Sequence, residues 1–261
     1  MRKIVTILTM MILTAQVFGA GTRSSKPRDF ITVERTVAKF DRIKVAGPVE
    51  LIVITGKEQK VMVTCDSKYL HTVETTVSNG ELNVAVTGVI KLKNMNESYK
   101  VEVWVEDVKS LMASGLSNVY FPEKTIVENF SITSSGVSKT TFDDLEVSGR
   151  LSVESNGASH LNIKGQADRA VFEGTGACNL NFSGKANSIS LELSGAGKST
   201  ISAESEKLDI EASGACKVTL TGNTKSLRLE ASGATSVKSE KFKADNRQVS
   251  FSGAAKITIV D

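Results

Sequence analysis

The chain has 261 residues, 40% of them hydrophobic and 23% charged, with a formal net charge of +3. That composition suits a soluble globular chain, long enough for one solenoid or two small domains. Aromatic residues make up only 5% and acids nearly balance bases, which argues against a nucleic-acid binder, whose surface concentrates Lys and Arg beside stacking rings.

Arg2 and Lys3 precede an apolar run from Ile4 to Leu13, and small residues follow at Ala15, Gly19 and Ala20. Charge, short apolar core and small residues in that order read as a secretory signal peptide over 1–20, cleaved after Gly19 or Ala20. The core is too short for a mature membrane-spanning helix. No cysteine lies near the cleavage site, so a lipid anchor is not expected. A polar linker is expected over 21–36. The expectation is export to the periplasm or the cell surface, without a membrane anchor of its own.

Residues 37–107 read as a β-rich N-terminal portion that starts a solenoid and closes one end of it. Around Gly47, the residues Ile43, Val45, Val49, Leu51 and Val53 alternate as inward positions of a degenerate first coil. VMVTC (61–65) is a second strand, and Asp66 can cap a short helical turn over DSKYLHTV. ETTVSNGELNVAV has Asn79-Gly80 at its bend, a strong hairpin signal. VEVWVE (101–106) alternates again.

From 108 to 261 one short phrase returns eight times, as in ASGLSNVYF, GTGACNLNF and ASGACKVTL. Its glycines are Gly115, Gly136, Gly157, Gly176, Gly195, Gly214, Gly233 and Gly253. A period of about 20 residues marks a solenoid, in which each repeat buries its apolar face only against its neighbours. Four residues before each glycine stand Leu111, Ile132, Val153, Phe172, Leu191, Ile210, Leu229 and Val249, an apolar column. The positions four and six after it are mostly apolar, and the one between them is polar, so the period is two and the elements are strands. The position two after it is small throughout, as at Ser159, Cys178 and Cys216. Each repeat reads as a strand, a sharp Ser-Gly-Ala arc, a second strand and a polar return such as SGKANS (183–188). The expected fold is all-β: a right-handed parallel β-helix, a two-sheet solenoid of about 20 residues per repeat, with a β-rich N-terminal cap. ITIVD at 257–261 carries no evident cap, so the solenoid end is expected to pair with another copy or another protein, a route to a homo-oligomer.

Few residues suggest chemistry. Glu154, Glu173, Glu192, Glu211 and Glu230 fall three before the glycine in successive repeats and point outward by parity. Stacked carboxylates repel, so this column is either a binding strip for a cation or cationic ligand or a solvated face screened by Arg228 and by Lys139, Lys198, Lys217 and Lys256. The screened face is the preferred reading, because no Asp-rich turn with calcium-loop spacing occurs. GAGKST (195–200) resembles a phosphate loop, but Glu192 stands where its first glycine is needed. His71 and His160 are the only histidines and have no Cys-x-x-Cys beside them, so no metal site and no cofactor is expected. Asp143-Asp144 is a carboxylate pair whose commoner meaning is a charged bend. Cys65, Cys178 and Cys216 are too few for a disulfide framework. Cys178 and Cys216 share a column two repeats apart. They stay free if one repeat makes a coil, and could bond if two do.

The serial phrase, with the leader FDRIKVAGPVELIVITG (40–56) and the SNGELNVAV hairpin (78–86), resembles the head GIN domain family of auto-transporter adhesins. That family, found largely in Bacteroidetes, is also called a domain of unknown function. The resemblance runs from about Val37 to the C-terminus. It implies a β-helical superhelix shaped like pectin lyases, Ser-Gly turns between sheets, no recognised catalytic residues and a role in cell adhesion. A coiled-coil stalk and a membrane barrel, expected of a complete auto-transporter adhesin, do not occur in the chain. Three readings follow: an exported non-enzymatic solenoid presenting a surface to a glycan or protein ligand; a polysaccharide lyase or hydrolase; and a periplasmic structural accessory. The first is preferred, because repeats that differ in length by only two residues leave no long loop to build a cleft.

Overall fold

A computed structural model describes residues 29–87 and 99–260. The signal peptide expected over 1–20 lies outside the described residues. The inward columns read from the sequence become the core of a β-solenoid that accounts for nearly every described element.

The N-terminal portion contains β1 (Phe30–Glu34), β2 (Arg42–Ala46), β3 (Val49–Thr55), β4 (Lys60–Asp66), β5 (Val73–Ser78), β6 (Glu81–Val86) and β7 (Tyr99–Val105). A 3-10 turn over Ser67–Thr72 follows β4, and the Asp66 side chain accepts a bond from the Lys68 N–H at its start. β5 and β6 form the hairpin, with Asn79 at φ 50 and Gly80 at φ 75, the positive angles that an Asn-Gly bend supplies. Val45, Leu51 and Val53 are buried as their alternation requires. One expectation is corrected: the second half of the 21–36 linker is β1, which pairs antiparallel with β4. It covers an edge that would otherwise present unpaired backbone groups.

The coils at this end do not stack in sequence order. β2 pairs in parallel with both β6 and β8 (Ser110–Ser114), and β3 with both β7 and β9 (Asn118–Phe121). The coil made from β2 and β3 therefore lies between the β6–β7 coil, later in sequence, and the first repeat. β4 then pairs antiparallel with β7, so hairpins close this end of the stack.

After β10 (Thr125–Val127) and β11 (Phe130–Ser134), each coil is nearly one continuous strand. These are β12 (Lys139–Gly157), β13 (His160–Gly176), β14 (Asn179–Gly195), β15 (Lys198–Gly214), β16 (Lys217–Ala231), β17 (Ser236–Phe251) and β18 (Lys256–Val260). The register advances one repeat per rung, Leu161 beside Leu180 and Leu180 beside Ser199, so one repeat makes one coil. Cys178 and Cys216 are accordingly two rungs apart, and both are buried and free. The polar return also keeps the ladder: Gly165, Gln166 and Ala167 pair with Gly184, Lys185 and Ala186. A polar return can do so because only one of its faces must be dry, and that face carries small residues.

The core is a set of in-register ladders. Phe121 stacks on Phe142 with ring centroids 4.2 Å apart, and Phe130 meets both rings edge-on. Size is compensated between rungs. Leu193 occupies the space that Gly174 and Gly197 leave, since a Cβ on Gly174 would lie 2.6 Å from Leu193 Cδ2. Beside the arcs run buried hydroxyl pairs, Ser134 with Ser138 at 2.7 Å and Ser155 with Ser159 at 2.6 Å.

The glycine column needs glycine for two reasons. Every member has φ between +71° and +99°. Each also stacks on the one before: a Cβ on Gly195 would lie 2.8 Å from Gly176 O and 3.1 Å from Gly176 N. The column extends back to Gly47, whose N lies 3.0 Å from a Cβ built on Gly115.

In the last described coils, β18 pairs only with Ser236–Glu240 of β17. The rest of β17 is an edge. Val249 and Phe251 are 42% and 65% exposed where the preceding coil buries Leu229 and Ala231. Lys241, at φ 49, adds a residue to the strand, and Arg247 stands in the inward column of Leu227. A bulge and an inward-facing charge are devices that blunt a strand edge. The last described coils thus carry edge-blunting features of their own.

Candidate functional site

Parity and curvature give the repeat region three outward surfaces. One precedes the Ser-Gly-Ala arc, one follows it, and the third is the wall formed by the returns.

The wall before the arc carries the acidic column. Glu154, Glu173, Glu192, Glu211 and Glu230 are direct rung partners, as the sequence spacing requires. Their partners are local: Asn156 donates to Glu154 Oε1 at 2.8 Å, and Arg228 bridges Glu211 at 3.1 Å and Glu230 at 2.7 Å. The wall after the arc carries Lys139, His160, Asn179, Lys198, Lys217, Ser236 and Lys256, again in rungs. The side-chain amide of Asn179 donates to His160 Nε2 at 2.8 Å, and that of Asn181 to Asn162 Oδ1 at 2.7 Å. Among the described residues no ion pair joins this lysine column to the glutamates. Arg228 is the basic side chain that pairs with the column among the described residues, and it reaches Glu211 and Glu230.

The return wall is concave, and nothing in the sequence reading singled it out. A trough of about 840 Å³ runs along the solenoid axis across six coils. Its floor is the column Val147, Ala167, Ala186, Ser205 and Thr224, small or hydroxylated in every rung but the first. Packing tolerates no void, so short inward side chains draw the backbone toward the core and the outer surface dips. One rim is the ladder Glu146, Gln166, Lys185, Glu204, Asn223 and Lys243. Its charges are mostly neutralised in place: Lys124 pairs with Glu146 at 2.6 Å and Lys185 with Glu204 at 2.7 Å. The bond from Lys124 holds the Glu146 carboxyl below the usual carboxylate range, and Glu204 raises the Lys185 ammonium in the same way. On the other rim Asn187 donates to Asp168 at 2.6 Å and Lys225 pairs with Glu206 at 2.6 Å.

The remaining candidates are separated from one another. Asp143 accepts a hydrogen bond from the Tyr120 hydroxyl, which raises that phenol above its ordinary value. Lys198 begins β15 as the fold's columns require, with its N–H bonded to Cys178 O rather than opening a helix. His71 ends the 3-10 turn, far in sequence and element from His160. Among the described residues no group of three or more His, Cys, Asp or Glu is arranged to hold a metal.

A stack of near-identical coils, with columns of exposed side chains on each wall, defines the class of β-solenoid repeat proteins. The family described as "Putative auto-transporter adhesin, head GIN domain" matches residues 39–184 and 170–261, and the chain belongs to it. The fold is shared with solved structures. A protein from Parabacteroides distasonis described as a putative adhesin superposes with TM-score 0.76 at 14% identity, covering 89% of this chain and 98% of its own. A second described as a putative adhesin, from Parabacteroides merdae, gives 0.74 at 14% identity, covering 89% and 97%. A third, from Parabacteroides distasonis and described as a putative lipid binding protein, gives 0.73 at 16% identity, covering 89% and 97%. None of these names is that of an enzyme. No curated protein matches the chain.

Proposed function

We propose that this chain is an exported, non-enzymatic β-solenoid that binds a glycan or protein ligand at the cell envelope, in the manner of an adhesin. The observation that carries the reading is the axial trough, a surface that repeats similar polar chemistry over six coils. Repetition along an axis suits adhesion, because many weak contacts in register add up without any single deep pocket. The adhesin description of the family, and the adhesin names of two solved neighbours, support the same reading. The Tyr120 hydroxyl donates to Asp143 within the wall, which fits the reading of Asp143-Asp144 as a charged bend better than as the acid/base pair of the polysaccharide-cleaving alternative.

Protease shaving of intact cells tests the reading. The chain is expected to be digested while a periplasmic control survives. Protection until the outer membrane is opened would overturn the adhesin reading in favour of a periplasmic structural role.

A further inference from the structure

The three walls differ in what they can hold. The acidic column has charge without concavity beyond a small dip of about 240 Å³ beside Glu192, Glu211 and Glu230. The wall after the arc carries lysines, a histidine and amides in its rungs, and none of them lines the return trough. Among the described residues, the return wall combines concavity, length and hydrogen-bonding groups at every rung.

We infer that the return trough is the recognition face, and that its occupant is an extended, uncharged polysaccharide strand lying along the solenoid axis. This rests on the ligand-binding reading above and gives it a place and a ligand class. Four observations converge. The trough steps once per coil, ~4.8 Å, close to the length of one pyranose unit in an extended chain, so each rung can meet a chemically equivalent unit. Six coils make five steps, a length of ~24 Å. Most rim charges are paired, Lys185 with Glu204, Lys225 with Glu206 and Glu146 with Lys124, so the rims offer mainly donors and acceptors, with unpaired charge among the described residues only at Asp168, Lys243 and Asp245. Asn223 stands on the rim between Glu204 and Lys243 with an amide that can donate and accept at once, the chemistry a sugar hydroxyl requires. Acids outnumber bases along the trough, which disfavours nucleic acid and uronic-acid polymers. The floor carries no aromatic ring and no long side chain, which gives neither a lipid tail nor an apolar peptide anchor a pocket to fill.

The test is affinity electrophoresis of the purified chain through gels containing a neutral β-glucan, a neutral galactomannan or a polyuronate. Asn187→Arg and Asn223→Arg each place a long side chain across the trough, and Thr200→Arg does the same on the wall after the arc. At least one neutral polysaccharide is expected to retard the chain, both trough variants to lose tenfold or more in affinity, and Thr200→Arg to bind as the parent does. Hydrogen exchange supplies a check that needs no variant: glycan should slow the amides of 166–168, 185–187 and 204–206 and leave those of 198–200 unchanged. No retention by either neutral polymer, retention of the polyuronate alone, or equal retention of the trough variants each overturns the inference. The two readings fail separately. Cells whose shaved chain is external but whose trough variants adhere normally leave the adhesin reading standing and remove the trough. A chain protected in the periplasm that still loses glycan binding in the trough variants does the reverse.

Discussion

Gly56 and Gly195 make a matched pair. Both have positive φ, +71° and +99°, yet a Cβ on Gly56 meets nothing within 4 Å while one on Gly195 lies 2.8 Å from Gly176 O. An L-residue in the left-handed region costs roughly 1–2 kcal/mol. Alanine recovers about 0.4–1 kcal/mol of that by restricting the unfolded chain. Gly56→Ala should therefore lose about 1 kcal/mol. Gly195→Ala carries the same local cost and must also push a coil aside, and overpacking of that kind costs about 1–3 kcal/mol. Gly176 O accepts the Ala196 N–H at 2.8 Å, and Gly195 O accepts the Ala215 N–H at 2.7 Å. Weakening these rungs adds about 1 kcal/mol each, for a total of about 4–6 kcal/mol. Urea unfolding followed by far-UV circular dichroism measures the difference. Hydrogen exchange of the amides at 177, 196 and 215 shows whether the loss is local to the rungs or spreads along the stack. Equal destabilisation by the two substitutions would refute the stacking account, leaving backbone angle as the only role of the column.

Four further outcomes follow from the packing and the charges. Thr140 and Ser199 bury hydroxyls that find no partner among the described residues, so Thr140→Val and Ser199→Val should each raise stability by about 1–2 kcal/mol, read as a higher urea midpoint. Leu193→Ala empties the space between Gly174 and Gly197 and should cost about 2–5 kcal/mol, seen as a lower midpoint with the same fold by circular dichroism. The Lys109 ammonium, 2.5 Å from Asp41, holds that carboxyl below the usual range. The folded value is the lower one, so this stabilisation is complete above the ordinary carboxylate pKa and fades as pH falls through the lowered value. Asp41→Asn should lose stability at neutral pH and converge on the parent below roughly pH 3, a comparison made by thermal unfolding across that range. Cys65, Cys178 and Cys216 are buried and free, with Cys65 and Cys178 raised above the ordinary thiol value by burial, so a thiol reagent should find three groups only after denaturation.

The columns were legible because two strong signals coincide in them. Alternation at period two fixes which side of each strand is dry, and the recurrent glycine fixes the rung. Leu161, Leu180 and Val218 fall into one ladder on that information alone. The return was harder. Gly165-Gln166-Ala167 reads as a loop because its outward residues are polar and its inward ones small, and the same features let it pair and curve. That is why the trough was not visible in the sequence: it is made by concavity, to which no residue pattern points directly. The coil order at the N-terminal end was also hidden. β6 and β7 lie beyond β2 and β3 through contacts between residues far apart in sequence, with no repeat phrase to mark them. The glutamate column was found at once, but its arginine clasp required geometry, since Arg228 precedes Glu230 by two residues and reaches a neighbouring rung to meet Glu211.

The glycine spine also makes the coil a unit of length. Because Gly176 and Gly195 occupy equivalent rungs, removing residues 176–194 would join Thr175 to Gly195 and leave every inward column facing inward. A loss of one residue would instead turn the rest of that strand inside out. Chains of this construction can therefore grow or shrink by whole coils while keeping one core. The reach of a surface that runs along the axis then changes by one rung at a time, and the grip of a many-contact binder can be set by counting coils rather than by redesigning any one of them.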